Sequence, residues 1–200
     1  MRVAVATDMK VLHGAFLQSQ PASPTLIRFG GRPRVTAGGV EREGQDELFD
    51  AVFTRAEPRT VLTGMRGCGK TQLAATVAAK CEDEGWPIVA WINAASREEL
   101  VADLYELAIL AGTDAPKDIP PETIIRRFLD QLHSADAADR LVVFDNVENL
   151  DDLKGLTPKG SGVRVIITTP RRLDWDSLEW YPLAVDVIDR TQSIAPLGRR

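Results

Sequence analysis

Residues 64–71 read GMRGCGKT, and this spacing of glycine, lysine and threonine constrains the chain more than any other feature. An apolar run precedes the motif and an amphipathic run follows it, so it joins a strand to a helix. Glycines permit positive φ angles, which let the backbone curl and point its N–H groups at an anion beside the helix N-terminus. The spacing predicts a loop for nucleotide phosphates, with Lys70 on the β- and γ-phosphates and Thr71 on Mg2+. The predicted contact residues are Gly64, Met65, Arg66, Gly67, Cys68, Gly69, Lys70, Thr71 and Gln72.

Apolar runs alternate with amphipathic ones along the rest of the chain, which predicts an α/β fold. Because the apolar runs are nearly continuous, their strands are expected to be buried on both faces, as in a parallel sheet. We expect a three-layer sandwich, in which about five parallel strands carry helices on both faces. The predicted strands are 59–63, 88–93, 141–144, 163–168 and 184–188; the predicted helices are 41–54, 71–84, one after the capping sequence at 96–99, and one from Pro121.

The N-terminal part of the chain differs in composition from the rest. Prolines and glycines are frequent between residues 18 and 39, which argues against regular structure there. We therefore interpret residues 1–38 as a flexible or loosely docked leader, and an arbitrary start of the sequence explains this composition equally well. Residues 39–190 are the predicted nucleotide-binding domain, and residues 191–200 are a tail or the start of a following module.

Overall composition limits the class of protein. The 200-residue chain is 44% apolar and 26% charged, which is typical of globular domains, and its net charge of -5 argues against nucleic acid as a partner. Two cysteines, Cys68 and Cys81, are too few for a disulfide framework, so we predict a reduced, cytoplasmic protein. No apolar run approaches the ~20 residues that cross a bilayer, and no membrane association is expected.

A second motif, LVVFDN at residues 141–146, predicts a buried strand that delivers Asp145 to the carboxyl edge of the sheet. A carboxylate at that edge can hold Mg2+ directly or through water. Many ATPases place a second carboxylate next to position the attacking water, but Asn146 follows here. Glu148 is either an alternative base or a solvated loop acid. The catalytic candidates are Lys70, Asp145, Asn146 and Glu148, and slow hydrolysis is expected.

A third motif, VIITTPRR at residues 165–172, predicts another strand that ends at the same edge. The hydroxyls of Thr168 and Thr169 and the guanidinium of Arg171 can contact a γ-phosphate, because arginine donates a planar fork of hydrogen bonds to phosphate oxygens. The alternative is a strand end followed by two surface arginines. Both interpretations stay open on the residues alone.

Together the three motifs resemble the NB-ARC branch of the STAND ATPases over residues 41–188. The matching segments are GMRGCGKTQLA at 64–74, VVFDNVE at 142–148 and GVRVIITT at 162–169. The resemblance implies a switch in which ADP holds a resting form, and exchange for ATP promotes opening and oligomerisation. It also implies ATP or ADP with Mg2+ as cofactors, a magnesium acid at Asp145 and a γ-phosphate sensor at Thr168 and Thr169.

Three features depart from the family pattern. Pro170 stands where the family sensor usually has arginine, with Arg171 one residue later. The adenine-contacting segment is matched loosely by GVERE at 39–43, which makes Val40 and Arg42 candidate nucleotide contacts. The helical and winged-helix modules of the family do not follow residue 190. We therefore expect a fragment or a short member, with protein partners or self-association through the missing modules.

Three functions remain open from the sequence. The first is an ATP/ADP-binding regulatory switch with slow Mg-dependent hydrolysis. The second is a turnover enzyme, either an AAA-like ATPase or a nucleotide-dependent kinase, with Glu148 as the base. The third is a nucleotide-binding interaction module that does not hydrolyse.

Overall fold

Short apolar runs become the strands of one sheet in the computed structural model, which describes residues 26–35, 44–134, 139–160 and 162–185. Neighbouring strands pair in parallel, in the order β1-β3-β4-β5-β2-β6. Strand β5 therefore lies between β2 and β4. The strands are β1 (Ile27–Phe29), β2 (Arg59–Thr63), β3 (Ile88–Asn93), β4 (Arg140–Asp145), β5 (Val163–Thr169) and β6 (Tyr181–Ala184).

Helices connect the strands, and the third and fourth of them begin where the local sequence predicts. Ser96 caps the third helix, because its hydroxyl accepts a hydrogen bond from the Glu99 backbone N–H at 3.3 Å. Proline is tolerated in the first turn of a helix, and the fourth helix begins at Pro121. The helices are α1 (Gln45–Phe49), which continues as a π-helical turn over Asp50–Thr54, α2 (Lys70–Asp83), α3 (Arg97–Leu110) and α4 (Pro121–Ser134).

Alternation along each strand divides the core between the two faces of the sheet. Val142 and Phe144 of β4 pack with α3 and α4, whereas Leu141 and Val143 pack with α1 and α2. All four side chains are buried. The parallel sheet therefore has helices on both faces, and the predicted three-layer α/β sandwich is confirmed.

The sequence interpretation is wrong at both edges of the sheet. Residues 18–39 were expected to lack regular structure, yet Ile27–Phe29 forms β1 and pairs with β3, so the described residues form a six-stranded sheet where about five strands were expected. The last strand was expected at 184–188; it is Tyr181–Ala184, and residues 186–188 lie outside the described residues. Edge strands are short and bury few side chains, so their apolar pattern is weak.

Parallel pairing brings the carboxyl ends of the central strands together. Asn93 at the end of β3 is in register with Asp145 at the end of β4, and Thr63 of β2 is in register with Thr169 of β5. Ligands of parallel sheets bind beyond this edge. Among the described residues, no helix is both long and apolar enough to span a bilayer.

Candidate functional site

The loop between β2 and α2 is curled, as its glycines require. Gly64, Gly67 and Gly69 have φ angles of 148°, 81° and 100°, a region that side chains with a Cβ rarely adopt. A Cβ added at Gly64 would lie 2.3 Å from the backbone oxygen of Val185 and would force the strand ends apart. The same loop runs directly into α2, so its N–H groups and the helix N-terminus share one edge of the sheet.

Lys70 is buried beneath this loop. Lys70 is only 8% exposed, and its Nζ donates hydrogen bonds to the carbonyl oxygens of Gly64 and Met65, each at 2.8 Å. In the described part of the chain, no carboxylate forms an ion pair with Lys70. A buried ammonium held by neutral carbonyls is a cation that an entering anion can neutralise.

A cleft of about 300 Å3 opens above the loop, between the ends of β2, β4 and β5. The glycine loop and the residues at the ends of β4 and β5 both contribute to it. Residues that line the cleft include Gly67, Lys70, Thr71, Asn146, Thr168 and Thr169. Segments separated by about seventy residues in sequence therefore face one space.

Asp145 accepts hydrogen bonds from helix α2 and from strand β5. The Thr71 hydroxyl donates to Asp145 Oδ1 at 2.9 Å, and the Thr168 hydroxyl donates to the same oxygen at 2.5 Å. Thr168 also accepts a hydrogen bond from the backbone N–H of Asn146 at 2.9 Å, where the chain turns at φ 66°. One side chain of β5 thus fixes both the acid and the turn after it.

The donor set around Asp145 suits magnesium. A carboxylate and a hydroxyl are hard oxygen ligands, and Mg2+ usually takes one or two protein ligands together with water and phosphate oxygens. Within the described residues, no group of three or more His, Cys, Asp or Glu side chains could hold a metal alone.

Thr168→Val is expected to lower the free energy of unfolding by about 1–3 kcal/mol, because the half-buried Asp145 carboxylate and the Asn146 backbone N–H lose their shared partner. Chemical denaturation measures the change. Thr60→Val is the matched control, since Thr60 is equally buried at 1% exposure and its Oγ1 has no hydrogen-bond partner. Equal effects of the two substitutions would contradict the assigned role of Thr168.

The second threonine of β5 has a different environment. The Thr169 hydroxyl donates to the carbonyl of Val147 at 2.7 Å and accepts from the backbone N–H of Arg171 at 3.1 Å. The Nε of Arg171 donates to the carbonyl of Glu148 at 2.9 Å. This hydrogen bond holds Arg171 at the loop after β4. Pro170 lines the 300 Å3 cleft, whereas Arg171 does not.

Two further side chains meet across the cleft. Arg66 Nη2 lies 2.7 Å from Glu148 Oε1, although 82 residues separate them in sequence. The Arg66 side chain is 76% exposed and the Glu148 side chain 33% exposed. The candidate base of the sequence analysis is therefore ion-paired to the phosphate loop.

Other predicted contacts are placed around the loop or lie outside the described residues. Met65 is 66% exposed, and the Gln72 carbonyl accepts from the Thr76 hydroxyl. Cys68 is buried with its Sγ 3.7 Å from Lys70 Nζ, and it is a free thiol. Val40 and Arg42 are not among the described residues, so their predicted contacts with the adenine end of the nucleotide remain predictions.

The sequence interpretation missed a neighbouring cleft of about 550 Å3 on the other side of Asp145. Asn93, Asp103 and Gly31 line it together with Asp145. Asp103 Oδ2 accepts a hydrogen bond from the Asn93 backbone N–H at 2.8 Å. The sequence could have identified Asn93, because this polar residue ends a buried strand as Asp145 does. Asp103 lies on a helix and carried no such signal.

A parallel sheet whose glycine loop, lysine and threonine lie beside the terminal acid of a nearby strand defines the P-loop NTPase fold. The NB-ARC domain family matches residues 44–174, more than half of the 200-residue chain. The chain therefore belongs to the NB-ARC family, as the three motifs predicted. It is a nucleotide-binding ATPase module.

The chain is similar to several solved structures. Cdc6p from Pyrobaculum aerophilum is 15% identical with a TM-score of 0.57, over 81% of this chain and 49% of that one. The ORC2 protein of Aeropyrum pernix, in ADPNP–ADP complexes, is 14% identical with a TM-score of 0.51, over 78% and 50%. A STAND protein with a tetratricopeptide repeat sensor from Pyrococcus horikoshii is 18% identical with a TM-score of 0.47, over 82% and 25%.

The chain spans about half the length of the first two of these proteins and a quarter of the third. Comparison with curated proteins finds no match.

Proposed function

We propose that this module is a regulatory switch that binds ATP and ADP and hydrolyses ATP slowly with Mg2+. The observation that carries the proposal is the residue after Asp145: Asn146, an amide, lines the cleft at the position where many ATPases have a second carboxylate. An amide can orient water but cannot accept its proton. The site therefore favours holding a triphosphate over consuming it rapidly.

Each residue of the cleft has a distinct role in this proposal. The N–H groups of residues 66–71 donate to phosphate oxygens, and Lys70 exchanges its bonds to the Gly64 and Met65 carbonyls for bonds to the β- and γ-phosphates. Thr71 and Asp145 would hold Mg2+, which supplies neutralisation of the developing phosphate charge. Thr168 keeps Asp145 oriented through its hydroxyl.

Regulation by exchange is the family-based part of the proposal. ADP would hold a resting form, ATP would promote opening, and protein partners or self-association would read out the change in the cytoplasm. Asp145 and its two hydroxyl donors sit where a phosphate-bound cation would alter contacts between β4 and β5. In this way the change from ADP to ATP would alter how the ends of β4 and β5 are arranged.

A turnover ATPase with Glu148 as base is the second candidate, and one observation favours it: Glu148 lines the phosphate cleft. Single-turnover hydrolysis separates the two. The switch predicts slow hydrolysis that Glu148→Gln changes by less than about threefold. An enzyme that uses Glu148 as its general base would lose about 10²–10⁴ in rate.

Nucleotide binding itself is tested by thermal unfolding with ADP or ATP, each with and without Mg2+. Nucleotide at 100 times Kd is expected to stabilise the folded chain by about 2.7 kcal/mol. ADP and ATP should both raise Tm, and Mg2+ should increase the effect of ATP. Absence of any shift with both nucleotides would contradict the proposal.

A further inference from the structure

The ion pair between Arg66 and Glu148 lies on the phosphate cleft, yet neither residue belongs to the fixed positions of the glycine motif. Arg66 occupies a variable position of GMRGCGKT, and Glu148 lies three residues beyond Asp145. Their 2.7 Å contact is exposed, and exposed ion pairs are weak because water screens them and two long side chains must be held in one geometry. A pair this weak can be broken by a stronger anion that enters the same cleft.

We propose that Arg66 is the residue that distinguishes a nucleoside triphosphate from a diphosphate. In this proposal Arg66 binds the terminal phosphate of ATP, and Glu148 holds Arg66 when that phosphate is absent. The inference deepens the proposed function and rests on it, because it requires nucleotide phosphates in the 300 Å3 cleft. Glu148 then acts as a counter-ion that positions Arg66 and is not a base.

The placement of the arginines favours this assignment. Arg66 lines the cleft, whereas Arg171 donates its Nε to the Glu148 carbonyl and does not line it. Pro170 occupies the position that directly follows the two threonines of β5. Of the two arginines, Arg66 is therefore the one that a terminal phosphate in this cleft would meet, and arginine forks suit phosphate oxygens.

Charge explains why the exchange discriminates between nucleotides. Glu148 holds the Arg66 guanidinium at the cleft, so a phosphate group must compete with the Glu148 carboxylate for it. A diphosphate that does not reach Arg66 leaves the pair intact. A triphosphate offers Arg66 a more highly charged partner, and the exchange releases the Glu148 side chain from the loop. Only the longer phosphate chain of ATP can therefore displace Glu148 from Arg66.

The test is calorimetric titration of the full chain with ADP and with AMP-PNP, a non-hydrolysable triphosphate, at fixed Mg2+. Arg66→Ala is expected to weaken AMP-PNP binding about tenfold, or about 1.4 kcal/mol, and ADP binding less than twofold. Glu148→Gln is expected to tighten AMP-PNP binding severalfold and ADP binding little. In the Arg66→Ala background, Glu148→Gln should have a clearly smaller effect, because the two residues are coupled.

The chain provides a matched control pair. Arg97 and Glu122 form an exposed ion pair of 2.8 Å between α3 and α4, outside the phosphate cleft. Arg97→Ala and Glu122→Gln should leave both affinities unchanged. Arg66→Lys should restore part of the AMP-PNP affinity, since lysine keeps the charge but lacks the fork.

The outcomes separate this inference from the proposed function. If the unmodified chain binds neither nucleotide, the proposed function is wrong. If it binds both, and Arg66→Ala weakens ADP and AMP-PNP equally, the proposed function stands and the inference is overturned. Equal effects of Glu148→Gln with and without Arg66 would also overturn it, as would a hundredfold loss of single-turnover hydrolysis in Glu148→Gln.

Discussion

Lys70→Ala is expected to weaken ATP binding by at least about a hundredfold. Hydrogen bonds to charged groups contribute about 1.5–3 kcal/mol each, and Lys70 is placed to make more than one with the β- and γ-phosphates. Its burial and its bonds to the Gly64 and Met65 carbonyls hold the ammonium at the loop before any phosphate arrives. Calorimetric titration with AMP-PNP measures the loss.

Lys80→Ala is the matched control for this substitution. Lys80 lies on the same helix, α2, and forms an exposed ion pair with Glu84 at 2.9 Å. Its removal should leave AMP-PNP affinity unchanged. Chemical denaturation of each variant shows whether the fold is retained. Unaltered AMP-PNP affinity in a folded Lys70→Ala variant would contradict the role given to the lysine.

Asp145→Asn is expected to lower single-turnover ATP hydrolysis by about a hundredfold or more and to abolish the Mg2+ dependence of ATP affinity. The amide oxygen can still accept from Thr71 and Thr168, so the strand ends should keep their arrangement. The negative charge that would hold the cation is lost, and metal stabilisation of phosphate charge is worth several kcal/mol. Titrations with Mg2+ and with EDTA measure the dependence.

Asp139→Asn is the control for the loss of an acid near the same strand. Asp139 directly precedes β4 at its opposite end, where it pairs with Arg164 at 2.7 Å. That substitution should leave the Mg2+ dependence of ATP affinity intact. A Mg2+ effect that persists in Asp145→Asn would place the cation elsewhere and would refute the assignment of Asp145.

The central part of the fold was predictable from sequence because burial dominates it. Strands β2 to β5 are nearly continuous apolar runs, and α4 begins at the proline that the sequence indicated. Ile124, Phe128 and Leu132 are buried as their helical spacing predicts. Where a segment is covered on two sides, its composition alone identifies it.

The edges of the fold were not predictable, because their strands bury few side chains. Strand β1 has only three residues, of which Ile27 alone is buried, and it lies among prolines and glycines. Its sheet position depends on backbone pairing with β3, which no local pattern encodes. Likewise, no sequence pattern indicated the π-helical turn at Asp50–Thr54, which buries Ala51 and Val52.

The candidate site divides along similar lines. Residues 64–71, Asp145 and Thr168 were predicted because each lies at a strand end and its chemistry follows from that position. The contact of Arg66 with Glu148 was not predicted, since it depends on two side chains that meet only in the folded chain. The double role of Thr168, as donor to Asp145 and acceptor from Asn146, also required coordinates.

A crystal structure of the full chain with AMP-PNP and Mg2+ tests the central claim most directly. We expect the phosphates within hydrogen-bond distance of the N–H groups of residues 66–71, with Lys70 Nζ on the β- and γ-phosphates. Mg2+ should lie between Thr71 and Asp145, and Arg66 should have left Glu148 for the terminal phosphate. A nucleotide bound at another place, or phosphates in this cleft with Lys70 still on the Gly64 and Met65 carbonyls, would contradict the account.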